Sequence, residues 1–350
     1  MARKTTNAFW SKSLQRTLTS LTRTALRAGT KAVKQSLRAA PKARKATAPK
    51  RTPATTPRSS AAHWHKGVAL GANGARGYHL YKPPGVRRVE RLPLLVMLHG
   101  CAQDGAALAA SSQMNRIAAR ERFLVLYPEQ DRLANAQGCW NWYDTRSGRA
   151  QREADSIDAA IDQVCLLQPV DPNRIALAGI SAGASTAALM AVRHPQRYRA
   201  IAMHSGIAPG AAQSSATALS AMRGRRSAPP LAPLSAGEHL PALLIIQGSA
   251  DPLVAPSNGV AAAQLWATRE EATPGIPRTV QRGARYAATV TDYKNKGRLV
   301  ATLCVVSGLA HAWSGGAAGK AFSDPKGPDA SKMIWAFAAK QFANRATDKT

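Results

Sequence analysis

Acidic residues are scarce in this chain: 19 Asp and Glu stand against 48 Lys and Arg, a formal net charge of +29 over 350 residues. The shortage is uneven. Residues 1–89 carry 20 Lys and Arg and no acid, Glu90 being the first, which leaves 28 basic against 19 acidic residues in the remainder. Long apolar runs are missing too, and none approaches the roughly 20 residues that a membrane-spanning helix requires. Near the N-terminus, Thr, Lys and Arg interrupt every apolar stretch before a secretory core of about 7 to 15 residues can form, which argues against a signal peptide. No internal repeat is visible. Cysteine is limited to Cys101, Cys139, Cys165 and Cys304. Cys165 falls within a helical apolar run and Cys304 inside an apolar strand, so both read as small buried hydrophobes. His63-Trp64-His65 has no further spaced ligands, so no metal is expected there.

What the basic N-terminal portion does contain is amphipathic. Within residues 8–39, Trp10, Leu14, Leu18, Leu21, Ala25, Ala28 and Ala32 share one helical stripe, while Lys12, Arg16, Arg23, Arg27, Lys31, Lys34 and Arg38 cluster opposite. Residues 1–40 are thus expected to form a basic helical arm. Such a helix suits an anionic membrane surface or a lipid-coated particle; nucleic acid would be attracted only nonspecifically. Residues 41–62, rich in Pro, Ala, Ser, Thr and Lys/Arg, cannot build a core and read as a disordered linker.

The most informative segment is Gly179-Ile180-Ser181-Ala182-Gly183. Arg174 to Ala178 before it reads as a short buried strand and Ala184 to His194 after it as a helix, which is the context of a nucleophile elbow. The turn is tight enough to require small residues beside the serine. It exposes the Ser181 hydroxyl while backbone N–H groups of the following helix face a developing oxyanion.

In the α/β-hydrolase fold the acid and the base follow the serine in that order. Of eight histidines only His311 lies beyond residue 251, in a glycine-rich loop after the apolar run Leu299 to Val306. Five acids lie between Ser181 and His311: Glu238, Asp251, Glu270, Glu271 and Asp292. Asp251 alone follows a buried-strand pattern, Leu243 to Gln247, through a short turn, and it is the candidate. Glu270 and Glu271 are expected on a polar helix face and Asp292 in a hairpin beginning Asp292 to Gly297, all three at solvated surface. Ala182 N–H and Cys101 N–H, the latter in the loop after the strand Pro93 to Leu98, are the expected oxyanion donors. His99 is expected to orient that loop. This set supports an acyl-enzyme route that requires neither a metal nor an organic cofactor.

Candidate strands are Tyr78 to Tyr81, Leu94 to Leu98, Phe123 to Tyr127, Arg174 to Ala178, Ala200 to His204, Ala242 to Gln247 and Val300 to Val306. Helices are expected near Gly105 to Arg122, Ser156 to Leu167 and Ala330 to Asn344. This alternation predicts an α/β class protein with a mainly parallel, doubly wound sheet, its catalytic domain spanning residues 63–346.

Several ordered blocks resemble the polyhydroxybutyrate depolymerase-type esterases, a family that also includes feruloyl and acetylxylan esterases. They are Val96 to Asp104, Leu124 to Gln130, Cys139 to Trp142, Ala178 to Gly183, Asp251 with Val254 and Asn258-Gly259, His311 to Gly316, and Asp324 to Ala330. The chain departs from the family pattern at Gly183-Ala184, where two glycines are common, and at Ser249, where an acid often stands. The resemblance implies carboxylic-ester hydrolysis by Ser181, Asp251 and His311, on hydroxyalkanoate oligomers, polyester or other short acyl esters, with feruloyl or acetylxylan esters as the alternative. It also implies a Cys101–Cys139 disulfide and makes a polyhydroxyalkanoate granule one particle to which residues 8–39 could bind. A noncatalytic, hydrolase-like domain anchored by the basic arm is the alternative of another class. Trp140, Trp142 and Trp313 flank the motifs and are expected to face substrate, with core packing as the competing role. The missing signal peptide favours the cytoplasm or a granule surface; a disulfide, and secreted members of the family, would favour the extracellular side.

Overall fold

The computed structural model describes residues 63–235 and 237–347. The expected arm over 1–40, its helix over 8–39 and the linker over 41–62 lie outside the described residues. A hairpin comes first, β1 (His63–Gly71) and β2 (Gly74–Lys82), closed where Gly74 takes φ +98°, a backbone unfavourable to any side chain. Then follow β3 (Leu92–Leu98), α1 (Gly105–Ser112), α2 (Met114–Glu121), β4 (Leu124–Pro128) and α3 (Arg149–Leu167). The central crossover continues through β5 (Val170–Ile180), α4 (Ala182–Arg193), β6 (Ala200–His204), α5 (Ser215–Met222), β7 (Ala242–Gly248) and α6 (Ser257–Arg269). Last come β8 (Thr273–Pro274), β9 (Arg278–Val280), β10 (Ala288–Asn295), β11 (Arg298–Val306), the short pair β12 (Trp313–Ser314) and β13 (Ser323–Asp324), and α7 (Ala330–Thr347).

An 11-stranded sheet runs in the order β1-β2-β4-β3-β5-β6-β7-β11-β10-β8, with β9 also on β10. The middle, from β4 to β11, is parallel, and both ends are antiparallel. This is the α/β-hydrolase fold. Its parallel strands are buried on both faces, which explains why they read as continuous apolar runs. In β3, Leu94, Val96 and Leu98 pack with α3, α4 and α6, while Leu95 and Met97 pack with α1, α2 and α7. Each such leucine is fully buried and contributes roughly 2 kcal/mol through its burial.

The chain reverses its winding direction at β3, between β4 and β5. Open α/β sheets bind ligands in the crevice beyond the carboxyl ends of strands at such a point. Gly100, Ser181 and Asp251 follow the carboxyl ends of β3, β5 and β7, and His311 follows β11. Topology alone therefore gathers them at one end of the sheet.

Three expectations need correction. The helix expected near Gly105 to Arg122 is two helices, broken at Gln113, which adopts φ +55°. Glu270 is not on a solvated face: its side chain is 2% exposed, pairs with Arg298 at 2.7 Å and His239 at 2.8 Å, and accepts from Leu240 N–H. Asp292 is half-buried and binds Arg278 and the Thr302 hydroxyl. Glu271 is exposed, and Lys296-Gly297, both at positive φ, close the β10–β11 hairpin.

Candidate active site

Ser181 occupies the single-residue junction between β5 and α4, at φ +57° and ψ −123°. That backbone costs about 1–3 kcal/mol for a residue bearing a Cβ. It is held because the flanks are packed without spare room. A Cβ at Gly183 would strike the Leu98 and His99 carbonyls, and one at Gly179 would strike the Gly183 carbonyl. Ser181 N–H donates to the His204 carbonyl at 2.9 Å. Its side chain makes no capping hydrogen bond to α4.

Asp251 and His311 meet across the loops after β7 and β11. His311 Nδ1 lies 2.8 Å from Asp251 Oδ2, with side chains 8% and 0% exposed. Asp251 Oδ1 accepts from Leu253 N–H and Val254 N–H, both at 2.9 Å. Burial pushes the Asp251 carboxyl up, but the His311 hydrogen bond and charge, with the two amides, outweigh it and hold the group below the ordinary carboxylate range. An ionised Asp251 accepts a hydrogen bond from Nδ1–H, which leaves Nε2 as the lone-pair nitrogen. The two loops are stitched together by Ala250 N–H to the Leu309 carbonyl and Gly308 N–H to Ser249 Oγ. Ser249, one of the departures from the family pattern, is thus a brace between them.

The loop after β3 packs beside the serine. A Cβ placed on Gly100 would sit 3.5 Å from Ser181 Cβ, and Gly100 N–H donates to Gln103 Oε1 at 3.1 Å. Cys101 N–H has no acceptor among the described residues, and Ala182 N–H is one of the donors that a helix leaves unpaired in its first turn. His99 is 1% exposed; it bonds the Gly100 carbonyl through Nδ1 and accepts from Gln130 N–H at Nε2. Burial pushes its pKa down to about 4, so it stays neutral and structural.

A disulfide joins Cys101 to Cys139. Beyond it a buried polar network, not foreseen in the sequence, fixes the Cys139–Trp142 segment. Glu153 accepts from Asn141 N–H at 2.7 Å and from Gln130 Nε2 at 2.7 Å, Gln130 Oε1 accepts from Arg76, and the Arg76 guanidinium lies over the Trp140 ring. Replacing both Cys101 and Cys139 by Ser opens a loop with a sequence separation of 38. The expected loss is about 4 kcal/mol of stability by chain entropy, measured as a lower denaturation midpoint; an unchanged midpoint would show that the network suffices alone.

The aromatic expectations divide. Trp140 and Trp313 are fully buried, their indole N–H groups bonded to the His99 carbonyl and to Ser331 Oγ. Both are core residues and neither has surface for substrate, a correction that follows from their satisfied donors. Trp142 is half-buried and packs with Ile207, Val254 and their neighbours beside Asp251.

His204 is the residue that sequence reasoning missed. It is fully buried under the site, accepts Ser314 N–H at Nε2 at 3.1 Å, approaches Ser205 Oγ at 3.2 Å through Nδ1 and stacks on Trp313. Burial first, then the His311 charge, pushes its pKa down to about 3. The signal was present, a polar residue closing the apolar strand Ala200–His204. Among the described residues, Asp155, Asp158 and His194 could form a metal-ligand group, but Arg193 and Arg197 already pair its carboxylates, and it is no part of this site.

The family model described as Esterase PHB depolymerase matches residues 76–270. Poly(3-hydroxyalkanoate) depolymerase C of Paucimonas lemoignei is 33% identical over 175 residues, covering 47% of this chain and 42% of that protein. An acetylxylan esterase of Coprinopsis cinerea is 31% identical over 134 residues, 37% of this chain and 35% of its own length. The match thus spans less than half the length of these curated relatives. In structure, the acetyl xylan esterase from Aspergillus awamori superposes with a TM-score of 0.58 at 18% identity, over 71% of this chain and 94% of that one, a likeness of fold.

Proposed function

The chain belongs to the PHB depolymerase family of esterases, and from that premise we propose that it is a serine carboxylic-ester hydrolase acting through an acyl-enzyme. The observation that carries the reading is the 2.8 Å pairing of His311 Nδ1 with the buried Asp251 carboxylate, at the same end of the sheet as a serine on a strained turn. Ser181 Oγ attacks the ester carbonyl as His311 Nε2 takes its proton; Asp251 holds the imidazole tautomer and stabilises the imidazolium. The amides of Cys101 and Ala182 receive the tetrahedral oxyanion, each such donor being worth about 10²–10³ in turnover. His311 then returns the proton to the leaving alcohol, and water, activated by the same base, releases the acid.

Polyester oligomers of 3-hydroxyacids are the proposed substrates, since a relative matched at 33% identity over 175 residues is named for that polymer. The acetylxylan esterase likeness supports a second reading, in which small acyl groups are removed from polysaccharide. A fluorophosphonate is expected to label Ser181 and abolish hydrolysis in proportion; labelling elsewhere, or activity in fully labelled protein, would remove the serine mechanism. Comparing 3-hydroxybutyrate oligomers with acetylated xylan and methyl ferulate decides the substrate, and a higher kcat/KM on either of the latter two would favour the second reading.

A further inference from the structure

Two cavities adjoin behind the loop that carries His311. One, of about 360 Å³, is walled by Val280 of β9, Val290 of β10, Cys304 of β11, and Met333 and Ala336 of α7. The other, of about 270 Å³, is polar, with Ser112, Gln113 and Ser331 among its walls. Arg285, Asp329 and Lys332 line both, so the chambers meet at those three residues. None of the residues given a role in ester cleavage lines either chamber.

Charge at this junction is one-sided. Arg116 lines the polar chamber and Arg282 the apolar one, which with Arg285 and Lys332 makes four cations against the single acid Asp329. Lys332 lies 3.4 Å from Asp329, and Arg285 donates to the Gly327 carbonyl. Arg116 and Arg282 form no ion pair among the described residues. The larger chamber falls within the range of about 300–1,000 Å³ in which proteins hold small molecules. A neutral hydrocarbon would gain nothing from the cations, and a compact polyanion nothing from the apolar walls. An aliphatic chain ending in a carboxylate uses both.

The geometry points to a second ligand site, in which the carboxylate of an aliphatic acid sits between Arg285 and Lys332 and its chain fills the apolar chamber. The site goes beyond the proposed catalytic role and does not depend on it. Octanoate titrated calorimetrically into the full chain is expected to bind one saturable site. Hexanoate should bind about 15-fold more weakly, because each of two buried methylenes is worth about fourfold in affinity, and octan-1-ol at least tenfold more weakly because it lacks the charge. Ala336 is exposed on α7, so Ala336→Trp fills the chamber from its solvent side and should weaken octanoate tenfold or more. Arg282→Ser combined with Lys332→Ser, both exposed, should weaken it about tenfold irrespective of how the tryptophan is accommodated. Octanoate bound equally by wild type and either variant lies elsewhere and overturns the proposal. Equal affinity for octan-1-ol, or the lack of a saturable site at millimolar octanoate, overturns it as well.

Discussion

Ser181→Ala is expected to lower turnover of p-nitrophenyl butyrate about 10⁶-fold, the loss seen when a triad serine is removed and only binding and oxyanion stabilisation remain. The size of the effect follows from how much is concentrated at that atom. Without Oγ there is no acyl-enzyme, so His311 has no serine proton to accept and Asp251 no imidazolium to stabilise, and the residual rate belongs to water. Alanine is a fair replacement because it keeps a Cβ on the same strained turn and leaves Ser181's backbone bond to His204 in place. Its unfolding midpoint should therefore match wild type. A rate within tenfold of wild type, in protein shown to be folded, would mean that Ser181 is not the nucleophile and would return the noncatalytic reading to first place.

Asp251→Asn is expected to cost about 10⁴ in turnover, as replacing the triad acid by its amide does when the wrong imidazole tautomer results. The asparagine amide can donate to Nδ1, which moves the ring proton to Nε2 and leaves no base toward Ser181. Burial makes the effect severe, since the side chain has no exposed surface and water cannot substitute. A second measurement separates this from simple misfolding. The folded carboxyl is held below its ordinary value of 3.8, so it contributes stability that is present above about pH 4 and lost as pH falls through the depressed folded value. Wild type should therefore lose stability more steeply than Asp251→Asn on that acid limb. Parallel acid-unfolding curves would refute the linkage, and undiminished turnover would refute the role.

Much of the central fold was legible because parallel strands in this architecture are buried on both sides. β3, β4, β6, β7 and β11 announce themselves as apolar runs, and β5 does so in its second half, where it enters the core. β1 did not, because an edge strand with almost every residue accessible has neither a run nor an alternation to read. Chain order singled out Asp251 and His311, and they stand 2.8 Å apart. What single-chain order could not carry was partnership at a distance. Glu270 looks solvated beside Glu271 until His239 and Arg298, 31 and 28 positions away, come to it. Trp140 and Trp313 look like substrate aromatics until His99 and Ser331 take their N–H groups, and the Arg76–Gln130–Glu153 network joins a strand, a loop and a helix.

His204 holds two loops at once: its carbonyl accepts the Ser181 amide, and its ring accepts the amide of Ser314, three positions beyond His311. Neither loop can loosen without disturbing the residue on which the other leans. Heating should then produce no population that is folded yet idle, and residual activity should fall along the same curve as the folded fraction.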